Sequence, residues 1–183
     1  KSSRSSFSRQ GAGEAILGAR EAWFDQRWQR QEGSCRGCCA HRCNGGLAMV
    51  GAGPVIANNT IRNNITDGAG AGISIWGFHI LSSTIYHFPT ITNNVIVDNQ
   101  SINDEGDGGG IAVITSSPLI AWNSIARNTA TRNGGGIACW RHSLPIIANN
   151  FIVANSASYD ELTVTEGGGG IFASATDLDG RPI

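Results

Sequence analysis

Charge of one sign, aromatic side chains and long apolar runs are all scarce in this chain of 183 residues. Charged residues make up 15% of it and aromatic residues 7%, and the formal net charge is −1. Without a strong positive field nothing drives counterion release from a nucleic acid, which excludes a basic nucleic-acid binder. No apolar run approaches the roughly 20 residues that a helix needs to span a bilayer, which excludes a membrane span. The composition predicts one ordinary soluble domain.

Composition changes sharply near residue 50. Of 21 isoleucines only Ile16 lies in the first 50 residues, and of 15 asparagines only Asn44 does. The same stretch holds 8 of the 13 basic residues and four of the five cysteines. We therefore expect two regions, residues 1–45 and residues 46–183.

The second region contains an internal repeat. Four segments align without a gap over eleven positions, namely PVIANNTIRNN, PTITNNVIVDN, PLIAWNSIARN and PIIANNFIVAN, and they begin at Pro54, Pro89, Pro118 and Pro145. Two isoleucine columns result, which are Ile56, Ile91, Ile120 and Ile147, and Ile61, Ile96, Ile125 and Ile152. Two asparagine columns accompany them, which are Asn59, Asn94, Asn123 and Asn150, and Asn64, Asn99, Asn128 and Asn155. A fixed period of this kind is typical of a solenoid.

A glycine–isoleucine pair is the second anchor of each repeat, at Gly72-Ile73, Gly110-Ile111, Gly136-Ile137 and Gly170-Ile171. Each unit then consists of three short strands with β-branched residues at every second position, separated by asparagine and glycine turns. That period excludes amphipathic helices over these residues. The last pair opens a coil without its proline-led strand, so we expect the repeat to continue past Ile183 in a longer protein.

Such a unit forms one coil of a parallel β-helix, whose strands pair with the equivalent strands of neighbouring coils about 4.8 Å away. The isoleucines then stack into a dry interior. Asparagine at a corner tolerates the left-handed backbone conformation, and its amide can bond to the asparagine one coil away. The prediction is an all-β fold of about four to five three-strand coils with two asparagine ladders.

The Gly-Gly-Gly-Ile and Asn-Asn-x-Ile-x-x-Asn strings resemble those of right-handed parallel β-helix repeat proteins, the pectin-lyase-like superfamily, over roughly residues 46–183. The resemblance implies a right-handed coil and an extracellular or cell-surface protein. The superfamily includes polysaccharide lyases, hydrolases and adhesins, so activity has to be argued from the site. The Asp-Asp pair and Gly-His-Gly string of polygalacturonases do not occur here, which disfavours that activity.

Acidic residues in the loops before the glycine runs are the candidates for catalysis and metal binding. Inverting hydrolases of the superfamily use paired aspartates, which makes Asp104, Asp107 and Glu166 the candidate catalytic residues. The position before each glycine run holds Asp67, Asp107, Asn133 and Glu166. Lyases of the superfamily bind calcium through carboxylates, so Asp67, Asp107 and Glu166 are the candidate calcium ligands. The alternative is that these acids keep the turns soluble and cap their amides.

Two tryptophans form the candidate binding face. Strand alternation from the inward isoleucine points Trp76 and Trp140 outward, together with Ile114 and Ser174 at the equivalent positions. Such rings can stack on a sugar. The candidate substrate-binding residues are Trp76, Trp140, His79, Arg141 and His142. The alternative is that the long insertion 74–88 folds over the coil and buries these rings. Trp122, which replaces a corner asparagine, is expected to pack against a neighbouring loop.

Residues 1–45 lack the coil pattern. The stretch GEAILGAREAWFDQRWQRQ has apolar residues at nearly helical spacing, and a helix there could cap the first coil. The alternative is a disordered or non-native segment. Cys35, Cys38 and Cys43 are of the ligand type that binds zinc, but they form one compact cluster where structural zinc sites usually have two halves.

Three functions stay open on the sequence alone. They are a polysaccharide-binding or surface-scaffold solenoid, a polysaccharide lyase or inverting glycoside hydrolase, and a structural segment of a larger adhesin. Whether the chain is an enzyme is left open. The expected partner is a polysaccharide or cell-surface glycan, and calcium is the cofactor that the resemblance implies.

Overall fold

Short β-strands that follow one another in coils build the described part of the chain. The computed structural model describes residues 45–80, 83–85, 87–102, 106–158 and 167–174. Every regular element within these ranges is a strand. A search of the same residues for a helix with the length and apolar character of a membrane span finds none.

The strands form four coils and the start of a fifth. The first coil contains β1 (Leu47–Val50), β2 (Val55–Ala57), β3 (Thr60–Arg62) and β4 (Ile65–Thr66). The second contains β5 (Ile73–Trp76), an antiparallel hairpin of β6 (Phe78–Ile80) and β7 (Ser83–Ile85), then β8 (Thr90–Thr92), β9 (Val95–Val97) and β10 (Gln100–Ser101). The third contains β11 (Ile111–Ile114), β12 (Leu119–Ala121), β13 (Ser124–Ala126) and β14 (Thr129–Ala130). The fourth contains β15 (Ile137–Trp140), β16 (Ile146–Ala148), β17 (Phe151–Val153) and β18 (Ser156–Ala157), and β19 (Ile171–Ala173) opens the fifth.

Each full coil contributes one strand to each of four parallel sheets. Their strand orders are β1-β5-β11-β15-β19, β2-β8-β12-β16, β3-β9-β13-β17 and β4-β10-β14-β18. The predicted all-β parallel β-helix is therefore confirmed. The coil has a fourth strand in addition to the three that were predicted. This strand is only two residues long, too short for an alternating pattern to show in the sequence.

The core is the stack of inward isoleucines. Ile56, Ile91, Ile120 and Ile147 are Cα partners in consecutive coils, and so are Ile61, Ile96, Ile125 and Ile152. Together with the isoleucines and smaller apolar residues of the first sheet they form one hydrophobic cluster. Ile147 and Ile152 of the fourth coil are only partly buried. The core therefore depends on the coil above and the coil below.

Two asparagine ladders run along the coils, as predicted. In the first ladder, Asn94 Nδ2 donates to Asn123 Oδ1 at 3.0 Å and to the Ile56 carbonyl at 2.9 Å. The Asn123 Oδ1 also accepts the backbone N–H of Asn94 at 2.9 Å. The second ladder repeats these bonds at Asn64, Asn99, Asn128 and Asn155. Each amide in the middle of a ladder thus uses both its donors and its acceptor, which removes the cost of burying it.

The left-handed corner residue is the one before each ladder asparagine. Asn58, Asn93, Trp122 and Asn149 have φ of 60°, 55°, 61° and 55°, and the residues before the second ladder are left-handed as well. The ladder asparagines themselves do not take this conformation, contrary to the prediction. The left-handed residue turns the chain, and the asparagine after it can then point into the interior.

Glycine at the turn before the first sheet allows the coils to approach closely. A Cβ built on Gly110 would lie 2.5 Å from the carbonyl oxygen of Gly136 in the next coil. The glycines three residues before the first isoleucine of each coil, Gly70, Gly108, Gly134 and Gly168, also have positive φ. Glycine is thus required at this turn both for space and for conformation.

The structure describes only one side of the predicted division at residue 45. The described β-helix begins with β1 and ends with β19. The predicted cap or non-native segment falls on residues 1–45, of which the structure describes only Gly45. The candidate zinc ligands Cys35, Cys38 and Cys43 lie outside the described residues.

Replacement of one ladder amide should destabilise the whole described fold. Asn123→Ala leaves the Asn94 amide and the Ile91 carbonyl without their partners, and we expect a loss of about 3 kcal/mol in the free energy of unfolding. Urea denaturation measures it. The control is Gln100→Ala, which removes an exposed amide from the neighbouring coil and should cost less than about 0.5 kcal/mol. Equal effects of the two variants would contradict the ladder.

A methyl group added at the glycine turn should lower the stability of the fold only where neighbouring coils are in contact. Gly110→Ala forces its methyl group against the backbone of the next coil and should cost about 3 kcal/mol. Gly167→Ala is the matched control, because a Cβ at Gly167 meets no atom within 4 Å. Thermal melting of the two variants separates them. If both melt like the parent chain, the close approach of the coils is wrong.

Candidate functional site

The outward face of the first sheet is covered over one half and open over the other. Gly108 folds onto the strand, such that a Cβ on it would lie 2.9 Å from the Cα of Ala112. In the three inner coils the outward residues at this level, Ser74, Ala112 and Ala138, are accordingly small and fully buried. Their partners in the two end strands are Ala48, which is exposed, and Phe172, which is half-buried. The next outward position along each strand lies beyond this turn.

The open half carries the predicted tryptophan column. Val50, Trp76, Ile114 and Trp140 are Cα partners in consecutive coils. Trp76 and Trp140 are half-buried, while Ile114 between them is 2% exposed. Since neighbouring strands are about 4.8 Å apart, the backbones of the two tryptophans lie about 10 Å apart, with Ile114 between them. The Trp76 Nε1–H donates to the Ser74 Oγ at 2.8 Å, which orients that ring.

Arg141 and His142 follow Trp140 directly. Arg141 is exposed and His142 is half-buried, and both have left-handed backbones, with φ of 55° and 53°. Thr115 and Gly51 occupy the corner position of Arg141 in other coils and are left-handed too. The corner therefore sets the backbone conformation of Arg141, which places an exposed cationic residue directly after Trp140.

The predicted residue His79 belongs to the hairpin that follows Trp76. It pairs with Thr84 in the antiparallel ladder of β6 and β7. The structure therefore places its backbone at the same end of the first sheet as the tryptophan column. The position of its side chain stays a prediction.

The acidic column is not built as predicted. Gly70 N–H bonds to the Asp107 carbonyl and Gly108 N–H to the Asn133 carbonyl, which puts Asp107 and Asn133 in one column. The other members of that column are Ala69 and Gly167, because the glycine runs of the first and fourth coils are longer than the other two. Asp67 precedes the column by two residues and is exposed. Asp104 and Glu166 lie outside the described residues.

Asp107 has a structural role. It is 1% exposed, and its Oδ1 accepts the Arg132 Nε–H at 3.0 Å and the backbone N–H of Asn133 at 3.1 Å. Its Oδ2 accepts from Arg132 Nη2. One coil further, the Asn133 Oδ1 accepts the Gly167 N–H at 2.9 Å in the same way. This carboxylate caps a turn and forms an ion pair, which agrees with the alternative reading of the acidic residues.

No group of three or more histidine, cysteine, aspartate or glutamate side chains that could hold a metal ion is found among the described residues. Of the candidate calcium ligands, Asp67 is exposed and Asp107 is buried in its ion pair, whereas Glu166 lies outside the described residues, so the calcium site stays a prediction. Cys139 is free and buried, and burial raises the pKa of its thiol to about 12. It stays protonated and apolar at neutral pH.

Trp122 is exposed, contrary to the expectation that it packs against a loop. Its side chain is 62% exposed at a corner where the other three coils carry asparagine. Exposed Phe151 of the next coil stands two residues beyond the same corner. The sequence signal for this feature was the tryptophan in an otherwise asparagine column.

One family of known proteins matches more than half of the chain. Residues 26–152 match the family described as right handed beta helix region. The chain belongs to the right-handed β-helix family. No match was found among curated proteins or among solved structures.

The family assignment supplies the handedness of the coil, which the resemblance had implied. In this right-handed β-helix the first sheet carries the Trp76–Trp140 column and the corner between the second and third sheets carries Trp122. The family description names a fold and no activity. Any function of the right-handed β-helix has to be argued from these two surfaces.

The structural role of Asp107 makes a graded prediction. Asp107→Asn keeps an oxygen for the Asn133 N–H, as Asn133 itself provides one coil later, and should cost about 1 kcal/mol. Asp107→Ala leaves that buried N–H without its acceptor and should cost about 3 kcal/mol. Urea denaturation of the two variants tests the order. Equal losses in the two variants would show that the charge, which both remove, matters more than the turn cap.

Proposed function

We propose that this right-handed β-helix is an extracellular or cell-surface scaffold that binds an acidic polysaccharide. The observation that carries the proposal is the outward Trp76–Ile114–Trp140 column with Arg141 and His142 beside it. An indole presents a flat apolar face to a sugar ring and a polar edge to its hydroxyls. Arginine adds a planar fork that matches a carboxylate. The extracellular location is inferred from the resemblance to secreted β-helix proteins.

The arrangement suits a polymer better than a small molecule. The two tryptophans stand two coils apart, about 10 Å along the solenoid axis at the backbone, so one ligand reaches both only if it extends across the coils. The column lies on a sheet whose strands are held in register on both sides. Little side-chain or backbone freedom is then lost when a ligand binds, which favours affinity.

A purely structural segment is the second candidate, and a specific observation favours it. The ladder amides are fully used and Asp107 is ion-paired within the turn. Residues of this kind serve the fold. A lyase or hydrolase would need carboxylates that converge at an open groove. Asp107, the described member of the candidate catalytic set, is buried, so we do not propose enzymatic activity.

Retention on an acidic polysaccharide tests the proposal. In a native gel containing polygalacturonate we expect the chain to be retarded, and Trp140→Ala to raise the apparent Kd about tenfold, close to the contribution of one ring contact. Arg141→Gln should weaken binding and reduce its sensitivity to salt.

The matched controls are exposed residues elsewhere on the coil. Arg127→Gln removes a cation that is already paired with Asp98 at 2.8 Å and should leave retention unchanged. Phe151→Ala removes an exposed ring from the third sheet and should also leave retention unchanged. Equal binding by Trp140→Ala and the parent chain contradicts the proposal. New polysaccharide chain ends would establish an enzyme, and neither signal would leave the structural segment.

A further inference from the structure

We infer that the corner around Trp122 is a second binding site, and that its ligand is an uncharged oligosaccharide or polysaccharide. The inference does not depend on the Trp76–Trp140 column, because it is carried by a different corner of the coil with a different set of side chains. The argument rests on the exposure of the ring, on its backbone conformation and on the absence of charge around it.

Trp122 lies in an exposed column of amides. Asn58, Asn93, Trp122 and Asn149 occupy the same corner in four consecutive coils, and all four are exposed. Neighbouring coils are about 4.8 Å apart, so one amide stands on each side of the indole. An aromatic face with amide donors and acceptors at both edges suits a ligand that has apolar ring faces and many hydroxyl groups.

The fold does not account for an indole at this position. A left-handed backbone is unfavourable for a bulky residue, and asparagine tolerates it better. Trp122 nevertheless takes φ of 61° while 62% of it is exposed, so its ring adds little to the core. The corner imposes this backbone conformation in all four coils, so it is the exposed ring that sets Trp122 apart from its equivalents.

The surroundings of the ring are neutral. The outward columns on either side of the corner hold Val55, Thr90, Leu119 and Ile146, and Thr60, Val95, Ser124 and Phe151. None of these described residues is charged. On the next corner along the coil, Asp98 and Arg127 form a bidentate ion pair. A carboxylate-bearing ligand would therefore lose hydration here without gaining a cation, whereas a neutral sugar would not.

The corner is also held in place before any ligand binds. The Trp122 N–H donates to the Ala148 carbonyl at 3.3 Å, and the ladder residue Asn123 bonds to Asn150 directly behind it. Exposed Ile146 and Phe151 of the next coil extend the apolar surface on both sides of the corner. The backbone that carries the ring is therefore ordered before a ligand binds, which lowers the entropy lost on binding.

The decisive variant is Trp122→Asn, which restores the residue that the other three coils carry at this corner. The full chain is run in native gels containing a soluble galactomannan, xylan or mixed-linkage β-glucan, with polygalacturonate as the acidic comparison. We expect at least one neutral polymer to retard the chain and Trp122→Asn to raise its apparent Kd at least tenfold. The melting temperature should stay equal or rise, because the strained tryptophan is gone. Retention on polygalacturonate should not change.

Phe88→Asn is the matched control, since Phe88 is an exposed ring on another corner, and it should leave neutral retention unchanged. Trp122→Phe keeps a smaller ring and should bind with intermediate affinity. The inference is overturned if no neutral polymer retards the chain, or if Trp122→Asn binds as the parent does. A fall in melting temperature would identify the ring as a packing residue. Self-association in sedimentation that Trp122→Asn abolishes, without polymer binding, would assign the corner to a contact between copies.

Discussion

The structure depends on one constraint, which is that every residue of a coil lies directly above its equivalent in the coil below. Parallel pairing at about 4.8 Å imposes this register. A residue type that recurs in every coil therefore forms a continuous column along the solenoid. An isoleucine that faces inward in one coil extends a continuous dry column. A buried asparagine finds in the next coil the amide it needs, and Asn94, Asn123 and Asn150 are joined in this way. The same residue alone in an ordinary sheet would leave its amide unsatisfied.

The same register organises the surface. Outward side chains are sorted into columns, and the glycine run covers one half of the first sheet while the other half stays open. This explains why Trp76 and Trp140 share one face and why Asn93, Trp122 and Asn149 share another. The two surfaces differ in electrostatics, because Arg141 and His142 accompany the first and no charged residue accompanies the second. A solenoid can therefore carry separate binding faces on different corners of one coil.

The repeat made the fold predictable from the sequence, whereas the segments between the repeats differ in length and made the site difficult to predict. The isoleucine and asparagine columns were visible because equivalent residues occur at equal distances from each proline. The acidic column was wrong because the glycine runs themselves have unequal lengths, so aligning the residue before the start of each run placed Asp67 out of register with Asp107. The left-handed corner was assigned to the ladder asparagine instead of its neighbour, since both are asparagine in three of the coils. For this reason Trp122 was not recognised as an exposed residue.

The asparagine ladders also have a direction. In every step the earlier coil donates its N–H and Nδ2 to the Oδ1 of the later one, from Asn64 to Asn99 and from Asn99 to Asn128. A two-fold axis at the end of the solenoid would bring donors against donors or acceptors against acceptors. A further coil can continue the ladders only if its asparagines point in the same direction. Such a coil is related to the solenoid by translation along the axis and not by a two-fold axis. Growth of such a fold is therefore compatible with tandem repeats in one chain or head-to-tail stacking, and the ladders themselves oppose a closed dimer through either end.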